Sequence, residues 1–302
     1  MTQPKLALRN SGFGGRGYRD FRTGEVVPSI TTVLGAINKD GITQWAVDQT
    51  AAYAVANVDW LLSRSEEVGW NGLRWYWRRG KETDWDDPEI DIHNYHEGVL
   101  NDLAELGDLV HEYVEADLNG WFEPELVRDE QYSMIEAYLL WKDEHDIEVI
   151  ATEVTVFGNG YAGTFDAILK IDGVVTLVDV KTSRAVRDTH IGQIAALAYA
   201  DVAAVQVPAG TLGAYEFKPR KNDKTVDSYW MLQGMWDVDS YAVLQIRPDD
   251  VDSAGNVVPA FCELHELSRE QVDAGWGLFQ GALQIRQAEK KLKEATKAVT
   301  HN

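Results

Sequence analysis

The sequence predicts an α/β fold, a central mixed β-sheet flanked by helices and preceded by a mainly helical N-terminal accessory region. Three observations carry this. Residues 98–118 place Val99, Leu103, Leu106, Val110, Tyr113 and Val114 at helical spacing. From residue 148 the period drops to two and Val, Ile, Thr and Phe dominate. Helical patterns then return on the C-terminal side, so the strands are bracketed by helices.

The elements follow in order. Residues 1–28 are Gly-rich and read as loop or short strands. Ser29 is placed to cap a short helix over Ile30–Ile37, ended by the Asn38–Gly41 break. Residues 44–62 read as helix, and 63–96 as irregular and rich in Trp and charge. Helices are expected at 98–118 and 129–145, then strands at 148–157, 163–171 and 174–181. A helix at 189–204, strands at 211–217, 240–247 and 258–266, and a helix from Ser268 complete the chain. This divides it into an accessory region (1–96), a core (97–285) and a charged helical tail (286–302).

Composition narrows the function. The 302 residues are 45% hydrophobic and 25% charged, an ordinary globular balance that excludes a wholly disordered chain. Lys and Arg number 28 against 49 Asp and Glu, a formal charge of −21. Such a chain meets nucleic acid only through local basic segments. Two exist: Arg74, Arg78, Arg79 and Lys81, interleaved with Trp75, Tyr76 and Trp77, and Lys218, Arg220, Lys221 and Lys224. The aromatic group either stacks on unpaired bases or packs its segment on the body. Cys262 is the sole cysteine, which excludes an intrachain disulfide and a four-cysteine iron–sulfur cluster. No apolar run reaches the ~18 residues of a membrane span, and no apolar leader is visible, so a cytoplasmic location with no membrane partner is expected.

Several motifs are set aside. Gly12–Gly17 fits the dinucleotide fingerprint but lacks a βαβ context. No phosphate-loop motif is present, so no ATP is expected. Asp250–Gly255 lacks the terminal Glu of a calcium loop and reads as a turn. His93 and His96 read as part of a solvated acidic loop.

The chemistry concentrates around a hairpin. Asp172–Gly173 is a strong two-residue turn signal. Pairing Ile171 with Val174 brings Asp166 opposite Asp179, with Cβ atoms about 4.5–5.5 Å apart. Two carboxylates there repel unless a divalent cation lies between them. Lys181, two residues past Asp179, shares its face. Two carboxylates and a lysine suit metal-assisted phosphodiester hydrolysis: the metal activates water, and the lysine positions it or stabilises charge on the phosphate. Oxygen-rich ligation suits one or two Mg²⁺ or Mn²⁺ ions. Gly107–Asp–Leu–Val–His111 puts His111 one helical turn beyond a glycine, with room beside the imidazole.

In order, Gly107/His111, Gly163/Asp166, Asp179/Lys181 and Gln193 resemble the motifs of the PD-(D/E)xK nuclease superfamily, in particular its RecB-like branch and phage exonucleases, over roughly residues 98–205. Val27–Leu34 with Trp45 downstream is similar to the opening of such phage enzymes. The resemblance implies a restriction-endonuclease-like core. It implies a metal-dependent exonuclease acting on linear single- or double-stranded DNA ends in phage recombination, repair or replication, in the cytoplasm of a bacterial host. A separate helicase or annealing protein would be its partner. It implies His111, Asp166, Asp179 and the Val180 carbonyl as metal ligands, Glu153 as an added carboxylate, Lys181 as catalytic lysine, and Gln193 as facing DNA or bracing the site. Two departures stand out. Leu197, not an aromatic, is four residues past Gln193, with Tyr199 two further on. The four iron–sulfur cysteines of CRISPR-associated relatives are missing. A structure-specific endonuclease with the same residues, and a non-catalytic acidic DNA mimic, are the alternative readings.

Overall fold

The computed structural model describes residues 6–8, 12–37, 40–63, 65–67, 69, 95–121, 123–218, 227–251 and 254–300. Arg74, Arg78, Arg79, Lys81, Trp75–Trp77, His93, Arg220, Lys221 and Lys224 lie outside the described residues. The chain forms two compact units, Asn38–Asp108 on the one hand and Met1–Ile37 with Leu109–Asn302 on the other. The first 37 residues therefore belong with the sheet rather than with the segment that follows them.

The smaller unit carries helix α2 (Asp40–Ala56) and the first part of α3 (Tyr95–Leu118). Tyr53 and Tyr95 pack there with ring centroids 4.5 Å apart.

The larger unit is built on eight strands: β4 (Ile147–Gly158), β5 (Tyr161–Ile171), β6 (Val174–Lys181), β7 (Val202–Val207), β8 (Tyr215–Phe217), β9 (Ser228–Gly234), β10 (Ser240–Arg247) and β13 (Phe261–Glu266). Their order is β13-β10-β6-β5-β4-β7-β9-β8. Only β6 and β10 run parallel; the sheet is mixed, as expected. Helices α1 (Ile30–Leu34), α5 (Asp188–Ala198) and α6 (Arg269–Thr300) supply Ile30, Val33, Ile194, Leu197, Phe279 and Leu283 to a core shared with Val156, Phe165, Leu177 and Val243. Each such side chain contributes roughly 1.5–3 kcal/mol of burial free energy. Helix α4 (Asp129–Asp143) lies against β10 and β13 and buries Met134, Ile135, Tyr138 and Trp141. A small sheet, β1 (Ala7–Leu8), β2 (Gly17–Arg19) and β3 (Val26–Pro28), joins Tyr18 and Val27 to Phe157, Phe217 and Trp230. Asp250, expected in a turn, begins strand β11 (Asp250–Val251), which pairs with β12 (Val257–Val258) in a separate hairpin.

Local chemistry explains the boundaries. Ser29 Oγ accepts from the Thr32 amide at 3.0 Å, capping α1. That helix ends at Leu34, three residues earlier than expected. Asp172 and Gly173 both have positive φ, 50° and 90°, as a two-residue hairpin of this type requires. The expected helix over 189–204 ends at Ala198, and Val202–Val207 is strand β7. The apolar run carries no sequence stop, and tertiary pairing supplies one: the Asp201 amide donates to the Phe157 carbonyl at 2.9 Å. The strand expected at 211–217 is confined to Tyr215–Phe217, and β9 is an element the hydrophobic pattern does not announce. The C-terminal tail continues α6 without a break. Arg286 Nε donates to the Thr32 carbonyl at 3.0 Å, fastening the tail's first residue to α1. No helix among the described residues is long and apolar enough to cross a membrane.

Candidate active site

Strands β5 and β6 pair from Ile171↔Val174 to Ala167↔Val178, which makes Asp166 and Asp179 the next rung. That rung is not a ladder pair. Asp166 Oδ2 takes the Val180 amide instead, at 2.7 Å, so a carboxylate closes the strands where the backbone bonds stop. On the other side of β5, Thr152 pairs with Ala167 and Val154 with Phe165, which puts Glu153 level with Asp166. Three adjacent strands therefore carry a row of acids: Glu153, Asp166 and Asp179.

Glu153 has φ of 50°, in the left-handed region that a non-glycine residue enters at a cost of order 1–3 kcal/mol. The irregularity has a consequence along β4. Ala151, Val154 and Val156 all pack on the helix-covered core, although strict alternation would send Ala151 to the opposite face from the other two.

Around the row, each neighbour comes from a different element. Helix α3 brings His111, whose Nδ1 lies 3.6 Å from Asp166 Oδ2, beyond hydrogen-bond range. Helix α5 brings Gln193, whose Nε2 donates to Asp179 Oδ1 at 2.7 Å. Lys181 Nζ stands 2.6 Å from Asp179 Oδ2 and donates to the Val180 carbonyl at 3.0 Å. The Lys181 ammonium is thus the partner of a fully buried carboxylate oxygen, Asp179 Oδ2.

The titration directions follow. Burial raises Glu153 to about 8, reinforced by Asp166, Glu115 and Asp179 and opposed by Arg16. Burial raises Asp179 to about 6; Lys181 opposes this and Asp166 adds to it. Asp166 is raised by burial against the pull of Lys181 and the Val180 amide. Burial works against the Lys181 ammonium, but Asp179, Asp166 and Glu153 together outweigh it and hold its pKa above the ordinary value. Lys181 is therefore a cation throughout the neutral range.

Of the residues singled out in the sequence, His111, Glu153, Asp166, Asp179, Val180, Lys181 and Gln193 meet here. Tyr199 does not join them: its hydroxyl donates to Asp273 Oδ1 at 2.6 Å and its ring stacks on Trp276. Lys218 follows β8, at the sheet edge three strands beyond β4. Sequence reading missed Glu115, one helical turn past His111 and close enough to act on Glu153. Its i, i+4 spacing from His111 is the signal that could have found it.

Among the described residues no three His, Cys, Asp or Glu side chains converge as a metal-holding group. The reason is visible in the partners. The Val180 amide and the Lys181 ammonium hold the facing oxygens of Asp166 and Asp179. The donor chemistry itself, carboxylate oxygens with one imidazole, suits a hard divalent ion. Neither the family models nor the curated proteins compared with this chain show a match.

The glycine of Gly163–Asp166 has a packing reason. A Cβ there would lie 2.3 Å from Ile30 Cδ1 and 3.4 Å from Leu197 Cδ2. Gly163→Ala should push α1 off the sheet and lower stability by about 1–3 kcal/mol. Thermal unfolding of the variant checks this, and an unchanged midpoint contradicts it. Gln193→Leu should leave Asp179 Oδ1 buried without its donor, at about 1–3 kcal/mol. Denaturant unfolding near pH 8 is the check; no change there would mean the amide is idle.

Proposed function

We propose that this protein is a divalent-cation-dependent deoxyribonuclease of restriction-endonuclease-like type, acting as an exonuclease on DNA ends. The observation that carries the reading is the row of half-buried and buried acids, Glu153, Asp166 and Asp179, with Lys181 ion-paired to Asp179. Three raised carboxylates and a lysine held charged are an expensive arrangement for structure alone and a useful one for phosphodiester hydrolysis.

Asp166 and Asp179, with His111 and the Val180 carbonyl, would hold one or two Mg²⁺ or Mn²⁺ ions, and Glu153 would add a carboxylate. When bound, such an ion supplies Lewis acidity toward a phosphate oxygen and lowers the pKa of water. The chain's own residues do the rest. Gln193 holds Asp179 in one orientation through Oδ1. Lys181, a permanent cation, orients the attacking water and balances the charge that accumulates on the phosphate oxygens; it is no base. The water oxygen forms the new P–O bond and releases a proton to solvent, the ester P–O bond breaks, and the departing oxygen takes up a proton from solvent and leaves as a hydroxyl. The negative charge of the chain confines DNA contact to the loaded site and local cations, so binding should be salt-sensitive with a modest slope. No ATP is required; a separate helicase or annealing protein would supply strand handling.

The test is a time course on linear and covalently closed DNA, single- and double-stranded, with Mg²⁺, Mn²⁺ or EDTA. Metal-dependent loss of linear DNA alone supports the exonuclease. Cutting of closed circles makes it an endonuclease with the same site. Absence of cutting by a folded protein favours the acidic DNA mimic.

A further inference from the structure

Beyond the acid row lies a loop that the sequence reading left without a role. Residues 182–187 join Lys181 to α5 and carry Arg184 and Arg187. We infer that this loop is a phosphate-tracking arm: Gln245 locks it in place, and Arg184 and Arg187 grip the DNA backbone next to the bond that Lys181 attends. This deepens the nuclease reading and rests on it.

The lock is built from the neighbouring parallel strand. Gln245 pairs with Lys181 in the β6–β10 register and is buried. Its Nε2 donates to the Ser183 carbonyl at 2.6 Å. A carbonyl only accepts, so the amide's oxygen must face the other way, toward His265 Nε2 at 2.9 Å. His265 therefore donates through Nε2, and Gln245 is held at both ends. The Ser183 hydroxyl donates to the Ala185 carbonyl at 3.0 Å and tightens the same turn. A loop fixed this way keeps its side chains at set positions relative to Lys181.

The two arginines are poorly explained by stability. Arg184 is 81% exposed, and its Nη2 lies 3.3 Å from Asp250 Oδ1, a surface ion pair of little worth. Arg187 is exposed and occupies the N-cap of α5, where Ser, Thr, Asp or Asn are preferred and where the helix dipole disfavours a cation. The cap is satisfied locally, the Arg187 amide donating to His190 Nδ1 at 3.2 Å, which leaves the guanidinium out of the capping. Arg187, His190 and Gln193 then follow one i, i+3 row along α5. Gln193 touches Asp179, so the row leads from the acid site to Arg187 over about 9 Å of helix axis. An exposed arginine fork at that distance suits a phosphate neighbouring the one being cut.

The experiment is fluorescence anisotropy of the full-length protein with a short fluorescein-labelled oligonucleotide, single-stranded and duplex, in EDTA and across a salt series. Wild type is compared with Arg184→Gln/Arg187→Gln, with Gln245→Leu, and with Lys170→Gln, a cation near the opposite end of β5 as the control. Each arginine lost should weaken binding about fivefold at 0.1 M salt and flatten the log–log salt slope by about 0.7–0.9. Gln245→Leu, which retains both arginines, should reproduce part of the loss. The double variant is expected to melt like wild type, since both side chains are exposed. Binding by the double variant equal to wild type, or a loss no larger than that of Lys170→Gln, overturns the inference while the nuclease reading stands. Wild-type binding by Gln245→Leu overturns the lock. A wild-type protein that binds neither DNA in EDTA overturns the arm, while the nuclease reading is decided separately by the metal-dependent hydrolysis time course.

Discussion

Lys181→Met is expected to reduce metal-dependent DNA hydrolysis by about 10²–10³-fold, the usual cost of deleting one preorganised charge from a site of this kind. The same variant should be unstable in a way that depends on pH. Lys181 is the cation opposing the buried Asp179 carboxylate, and its ammonium is the partner of Oδ2 at 2.6 Å. Breaking a buried pair by removing one partner costs about 3–5 kcal/mol when the remaining group stays charged. Asp179 escapes that penalty by taking a proton, which it already does at about 6 with the lysine present. The loss should therefore be small at pH 5 and grow with pH, reaching roughly 10 °C in melting temperature at alkaline pH if each kcal/mol is worth about 2–4 °C. Thermal melts of the two proteins across pH 5–9 read this directly. A deficit of equal size at every pH would mean that lost packing, not the stranded carboxylate, accounts for the damage.

The second large effect concerns the metal-free wild type. Glu153, Asp166 and Asp179 all have folded pKa values above their unfolded ones. For a carboxylate raised in this way the folded state binds the proton more tightly than the unfolded chain. Its contribution to stability is complete below the unfolded pKa, near 4, and disappears as pH rises through the folded value. The window set by Asp179 runs from 3.8 to about 6, and that set by Glu153 from 4.5 to about 8. In EDTA the melting temperature should accordingly fall between pH 5 and pH 8. Mn²⁺ should recover much of the loss, and the recovery should increase with pH, because the cation replaces the protons that the acid row must otherwise keep. Asp166→Asn/Asp179→Asn should flatten the EDTA profile and abolish most of the Mn²⁺ effect. A wild-type profile that is flat in EDTA and unmoved by Mn²⁺ would argue that the acids are merely a structural network.

How far the sequence foretold this depends on the range of the interaction. The Asp172–Gly173 turn is a two-residue matter, and it sets the register that carries Asp166 and Asp179 to the same rung. Lys181 follows from alternation, and the Ser29 cap from its hydroxyl. Longer-range features were invisible. Glu153 came to the site only through the family resemblance, and nothing in its Val/Thr-rich strand pattern announces its positive φ. The end of α5 was missed because Ala195–Ala204 suits helix and strand alike until the Phe157 carbonyl claims the Asp201 amide. Strand β9 and the role of Gln245 depend on partners tens of residues away. Tyr199 lies two residues past the motif's aromatic position, and the Trp276 ring and Asp273 on α6 hold it.

The most direct test of the central claim is release of nucleotides from end-labelled linear DNA by wild type and Lys181→Met, each with Mn²⁺ and with EDTA, at a pH where both remain folded. The account predicts hydrolysis by wild type with Mn²⁺ only, and its reduction by about two orders of magnitude or more in the variant. Hydrolysis in EDTA, or equal rates for the two proteins, would contradict it.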